Sequence, residues 1–193
     1  MALNGNTLAN LEILQNQTDY STRGSLLSIV DNCRTMFGRR LLRKWITRPL
    51  LSREKIQERL DAVEEMATSN SLSISRLQGL LKGMPDLERG LVRIHVGKAK
   101  PQELIRVLSS FDRIGHVFDD VDEPGNGVKS VGLKLIVQRL PQVRHQISGF
   151  LESIDSGHAR AGNKEEMFNK GPEYDALKVR CFCSAARVAD VDK

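Results

Sequence analysis

Aromatic residues are scarce in this sequence: six Phe, two Tyr and one Trp make up 5 % of 193 residues. A core drawn from such a set is mostly aliphatic, which suits helix packing better than the aromatic and β-branched faces of a β-sandwich. Cysteine is scarcer still. Cys33, Cys181 and Cys183 are odd in number and irregular in spacing, which argues against a disulfide framework and for a reducing compartment. The last two lie too close together, and too far from any pair of histidines, for a zinc site. No apolar run approaches the roughly 20 residues of a membrane-spanning helix. The opening Met-Ala-Leu-Asn-Gly-Asn lacks the basic start and apolar stretch of a secretory signal. Without secretion, the Asn16-Gln17-Thr18 glycosylation sequon is empty.

Catalytic constellations are missing too. His95, His116, His145 and His158 have neither metal-ligand spacing nor a nucleophile on a recognisable elbow. Gly125-Asn126-Gly127-Val128-Lys129-Ser130 resembles a phosphate loop only in part. That motif needs Gly directly before the Lys, where this sequence has Val128. The acidic stretch Asp119 to Gly127 lacks the spacing and terminal Glu of a calcium loop and reads as a solvated loop. No catalytic residue and no metal ligand is assigned.

What the sequence does contain is an unevenly placed positive charge. The net charge is +5 at pH 7, and residues 1–50 hold seven Lys/Arg against three Asp/Glu. The densest cluster is Thr35 to Leu50. At about 100° per residue, Leu41, Leu42, Trp45 and Ile46 fall on one helix face and Arg39, Arg40, Arg43 and Lys44 on the other. The spacing predicts a helix ending near Thr47, before Pro49, with the apolar four in the structural core. The basic face is either a solvated surface or one that meets an acidic partner or a nucleic-acid backbone.

The rest of the chain reads as an all-α, irregular multi-helix bundle with a short extended N-terminal segment over residues 3–14. A first helix is expected over 24–32, with Leu26, Leu27 and Val30 inward. Ser52 caps a helix running to Thr68, with Ile56, Leu60, Val63 and Ala67 as its buried stripe. A short helix over 74–81 is followed by one starting at Pro85, buried through Leu87, Leu91 and Ile94 and closed by Gly97. Pro101 starts a longer helix through Phe118. The pattern resumes over 131–154, split or kinked at Pro141, with Leu135, Ile136 and Phe150 among its inward residues. Residues 155–172 read as a loop and 173–188 as a last helix.

Several motifs, taken in order, resemble the core domain of the MutS family of DNA mismatch-repair proteins. They are Asn4 to Ile13, Gly24-Ser25-Leu26-Leu27, Gly38 to Trp45 with Pro49-Leu50, Arg59-Leu60-Asp61-Ala62-Val63, and Pro85-Asp86-Leu87-Glu88-Arg89. Gln15 to Asp19 is most similar to the eukaryotic branch of that family that recognises insertion/deletion loops. The resemblance implies a helical hub over 1–154, followed by a lever remnant over 155–193. Gly162 to Phe168 resembles the approach to the family's DNA-gripping clamp, and Cys181 to Ala189 the lever returning from it. The chain is therefore expected to be a core fragment with the clamp and ATPase domains absent, and not an enzyme on its own.

The same resemblance implies that ATP and magnesium bind elsewhere in a longer protein, so no cofactor is expected in this chain. It implies DNA as a ligand of that longer protein, with weak binding by this part alone. It further implies the second MutS homologue as heterodimer partner, no membrane, and a location in the nucleus. From the residues alone, a free-standing helical nucleic-acid-binding module and a protein-interaction scaffold both remain open.

Overall fold

The computed structural model describes residues 2–118, 125–164 and 166–168. Among them the regular structure is helical. The helices are α1 (Gly5–Asn10), α2 (Leu26–Val30), α3 (Met36–Thr47), α4 (Arg53–Thr68), α5 (Leu72–Leu80), α6 (Leu87–His95), α7 (Pro101–His116), α8 (Val131–Arg139), α9 (Val143–Glu152) and α10 (Ser156–Ala161).

Short polar side chains start many of these helices. Asn4, Ser25, Thr35, Ser52, Asp86 and Asp155 each accept a hydrogen bond from a first-turn amide, satisfying donors that the helix itself cannot. Pro101 starts α7 at a position where its missing N–H costs nothing. Gly97 ends α6 by adopting φ +72°, so that Lys98 N–H reaches back to Arg93 C=O. At Pro141 the backbone tightens into a 3-10 turn, Leu140–Gln142, between α8 and α9, because proline has no N–H for the α-helical ladder.

The bundle is built about α7, which packs against α6, α9, α10 and the 3-10 turn. One side of α7 buries Val107 and Ile114 with Leu80, Leu87, Phe118 and Val137. Another buries Ile105 and Leu108 with Ile154, Ala159 and Met167. A third cluster of Ile74, Val128 and Leu133 sits under Ala62 and Met66 of α4. There the Glu65 carboxylate accepts hydrogen bonds from the Lys129 and Ser130 amides, both at 2.6 Å. The start of α8 is thus capped by a carboxylate from another helix, with charge of the sign its dipole favours.

Several sequence expectations are corrected. The segment over 3–14 is not extended throughout, because the Asn4 cap nucleates α1. In α2 only Leu27 is buried, and Leu26 and Val30 are exposed. Asp86 is the cap of α6, so Pro85 precedes the helix, and Leu91 is exposed. On α4 the stripe Ile56, Leu60, Val63 and Ala67 faces solvent, Val63 with 61 % of its surface open. Glu65, drawn to the α8 amides, turns that helix so that Ala62 and Met66 point inward. On α8 and α9, Leu133 and Val137 are buried, and Leu135, Ile136 and Phe150 are exposed. Residues 155–172 were expected as a loop. Instead Asp155 caps α10, and Ala159 and Met167 join the core beside α7. The helix expected over 173–188 lies outside the described residues.

Two glycines let helices approach α7 closely. A Cβ on Gly115 would stand 2.6 Å from Arg144 Cβ and 3.3 Å from Arg144 Cα on α9, and one on Gly90 would stand 2.6 Å from Val107 Cγ2. The Gly115 contact includes backbone and cannot yield without moving a helix. Gly115→Ala should therefore lower stability by about 1–3 kcal/mol, the cost of overpacking, despite alanine's better helix propensity. Denaturant unfolding would check it, and an unchanged or raised midpoint would contradict this packing.

Candidate nucleic-acid and partner interface

The four basic residues of α3 are not equivalent. Arg40 turns toward α6, where its guanidinium donates to both oxygens of Asp86 at 2.7 and 2.6 Å and, through Nε, to Glu88 at 2.8 Å. This two-pronged geometry is the strong form of an arginine–carboxylate contact. Arg39 pairs with Asp31 at 2.6 Å. Arg43 and Lys44 are exposed and make no ion pair among the described residues. Half of the expected basic face is thus occupied within the domain, and half is open to a partner.

The apolar side of α3 departs from expectation. Leu41 and Trp45 keep 48 % and 39 % of their surface exposed, and Leu42 and Ile46 are half-buried. No residue of α3 is fully buried, so these four do not form the structural core. The physical reason is the docking direction. Phe37 and Arg40 meet the α6 side, which leaves Leu41 and Trp45 outward. The Trp45 ring is covered instead by Arg59 of α4, whose guanidinium carbon lies 3.7 Å from the ring centroid, a cation–π contact.

Charges around Arg40 respond to one another. The Arg40 guanidinium holds the Asp86 carboxyl below the usual carboxylate range, and the Arg89 amide adds to the effect. Asp86 and Glu88 in turn raise the pKa of Arg40. Sequence reading placed Asp86 and Glu88 at a helix start but missed their partner, because the pairing spans more than 40 residues. Glu65 carried no local signal at all. Its targets are backbone amides of a distant segment, and that segment is the one that resembled a phosphate loop. Among the described residues no cluster of His, Cys, Asp and Glu could hold a metal ion. Likewise, no helix there is long and apolar enough to cross a membrane.

A family profile described as MutS domain III matches residues 6–166, a span that holds the Arg40–Asp86–Glu88 contact and nearly all of the three core clusters. The chain belongs to this family. Its relatives include proteins named DNA mismatch repair protein msh3. That of Emericella nidulans is 41 % identical over 180 residues and that of Mycosarcoma maydis 39 % over 179. The human protein is 36 % identical over 181 residues. These matches cover 92–93 % of this chain but 16 % of each relative. The all-α MutS domain III described above is thus similar to a small part of much longer proteins.

Two predictions follow from this geometry. Trp45→Ala should cost about 1–2 kcal/mol, well short of the 3–5 kcal/mol of a fully buried aromatic; a loss in the upper range would mean the ring is buried. The depressed Asp86 pKa makes the Arg40 contact stabilising above the unfolded value of 3.8, and that contribution is lost as pH falls through the lower folded value. The stability gap between wild type and Asp86→Asn should therefore shrink on acidification from about pH 6 to about pH 2. Urea midpoints across that range would show it, and a gap independent of pH would contradict it.

Proposed function

We propose that this MutS domain III serves as the helical core of a mismatch-repair protein of the MutS homologue three type. Its work there is mechanical. It joins the DNA-gripping parts of a longer protein to the parts that bind ATP, and it carries no nucleotide site itself. The observation that supports this most is the 36–42 % identity, over nearly the whole chain, to proteins named DNA mismatch repair protein msh3.

The exposed apolar residues fit such a role. Leu41 and Trp45 on α3 and Ile56, Leu60 and Val63 on α4 are exposed and open to neighbouring parts of such a protein. In this reading the DNA ligand, the second MutS homologue as heterodimer partner and the nuclear location belong to the longer protein, and residues 155–193 are a shortened lever remnant without the clamp. Arg43 and Lys44 are the α3 cations without an ion pair among the described residues, whereas Arg39 and Arg40 are paired with acids of the domain. The chain alone should bind DNA weakly, with strong salt dependence, and without telling looped from perfect duplex.

The test is a chimaera. Residues 6–166 of this chain would replace the matching part of the Emericella nidulans protein, and repair of insertion/deletion loops would be measured in cells. Repair near the wild-type rate is expected. A folded, stably expressed chimaera without repair would contradict the proposal, as would ATP turnover or sub-micromolar discrimination of looped duplex by the isolated chain.

A further inference from the structure

The side chains that α3 and α4 leave open form one surface. Leu41, Lys44 and Trp45 share a face of α3 at spacings of three and four, and Arg48, the residue that ends the helix, continues the line. All four are exposed. On α4, Ile56, Leu60, Val63 and Ala67 repeat at spacings of four and three, and they too are exposed. The Arg59 guanidinium carbon, 3.7 Å from the centroid of the Trp45 ring, brings the two stripes side by side. Arg53 and Lys55 stand exposed at the start of the α4 stripe.

The cations of this surface are uncompensated. Lys44, Arg48, Arg53 and Lys55 make no ion pair among the described residues, and Arg59 is turned onto the indole ring. The acids of α4 lie mostly elsewhere. At about 100° per residue, Glu54, Glu58 and Asp61 fall on the side opposite the apolar stripe. Glu54 accepts from Ser52 Oγ and Asp61 from Gln57 Nε2, and Glu65 is held by the α8 amides. Glu64 borders the stripe on the flank away from Arg59.

A polyanion with no apolar side would engage the cations and leave Leu41, Trp45, Ile56 and Leu60 in water. A wholly apolar partner would gain nothing from the cations. A helix with an apolar face and a carboxylate border answers both. Its side chains at i, i+3, i+4 and i+7 cover the stripes, and its flanks meet the ammonium and guanidinium groups. We propose that this surface docks an acidic amphipathic helix of the longer protein. The inference rests on the reading of this chain as the core of such a protein, and it adds the chemistry of the part that covers α3 and α4.

The experiment uses the whole chain and a synthetic peptide of about five helical turns, with leucines along one face and glutamates beside them. Trp45 is the only tryptophan of the chain, so its fluorescence follows occupation of the surface. Its emission should shift to shorter wavelength as the peptide binds, and added salt should weaken binding. Leu60→Ala/Val63→Ala removes exposed side-chain atoms and should weaken binding about tenfold or more. Lys44→Gln/Arg48→Gln should weaken it about threefold or more at low salt, and Lys44→Arg should keep wild-type affinity. The Emericella nidulans chimaera should not bind the peptide, because its own helix already holds the surface. Peptide binding by the isolated chain and repair by the chimaera are separate readouts, so failure of this inference and failure of the proposed function are distinguishable. Unchanged Trp45 emission with the acidic peptide would overturn the inference, as would equal affinity for a peptide with lysines in place of the glutamates. Peptide binding by the chimaera as tight as by the isolated chain would overturn it in favour of a separate protein. Tighter binding of a perfectly paired DNA duplex to the same surface, or self-association of the chain that itself shifts Trp45 emission, would overturn it as well.

Discussion

The helices before α4 meet the α7-centred body through Arg40, through Phe37 and through Arg34, whose guanidinium donates to Gln78 C=O at 3.1 Å. Arg40 on α3 meets Asp86 and Glu88 at the start of α6, and Phe37 beside it reaches the main core. This contact decides which way α3 faces. A helix with a clear apolar side would ordinarily bury that side, yet here the forked ion pair draws the charged side in and leaves Leu41 and Trp45 half open. Asp86 also caps α6, so one carboxylate both starts a helix and holds another. The exposure of Trp45, its cover by Arg59 and the freedom of Arg43 and Lys44 all follow from that orientation.

Much of the fold was legible in the sequence, and for local reasons. Helix starts at Ser52 and Pro101, the closure at Gly97 and the break at Pro141 are each set by one residue's backbone chemistry. They appear where the sequence places them. Helix rotation was legible only in part. Val107, Leu108 and Ile114 of α7, and Phe118 just after it, are buried because that helix is covered on more than one side. The stripe on α4 was assigned to the wrong side. Its apolar spacing was unambiguous, but the direction of burial was set by Glu65 reaching the Lys129 and Ser130 amides more than 60 residues away. Periodicity says that a helix has two faces, and long-range polar contacts say which one turns in.

The candidate interface illustrates the same limit. The cluster Arg39, Arg40, Arg43 and Lys44 looked like one basic face, and the fold divides it into two paired and two open cations. The apolar residues left open on α3 and α4 belong with the span of the match to known proteins. The family profile covers most of this chain, while the chain covers 16 % of its relatives.

The central claim is that the Arg40–Asp86 contact orients α3. A double-mutant cycle measures it most directly, using Arg40→Ala, Asp86→Ala and the double variant in denaturant unfolding. The cycle removes the separate cost of losing the Asp86 cap, which appears in both arms. We predict clearly non-additive losses, as for residues sharing one hydrogen-bonded ion-pair network. Additive losses, with coupling below about 0.3 kcal/mol, would mean that α3 is held in this orientation by something other than the ion pair.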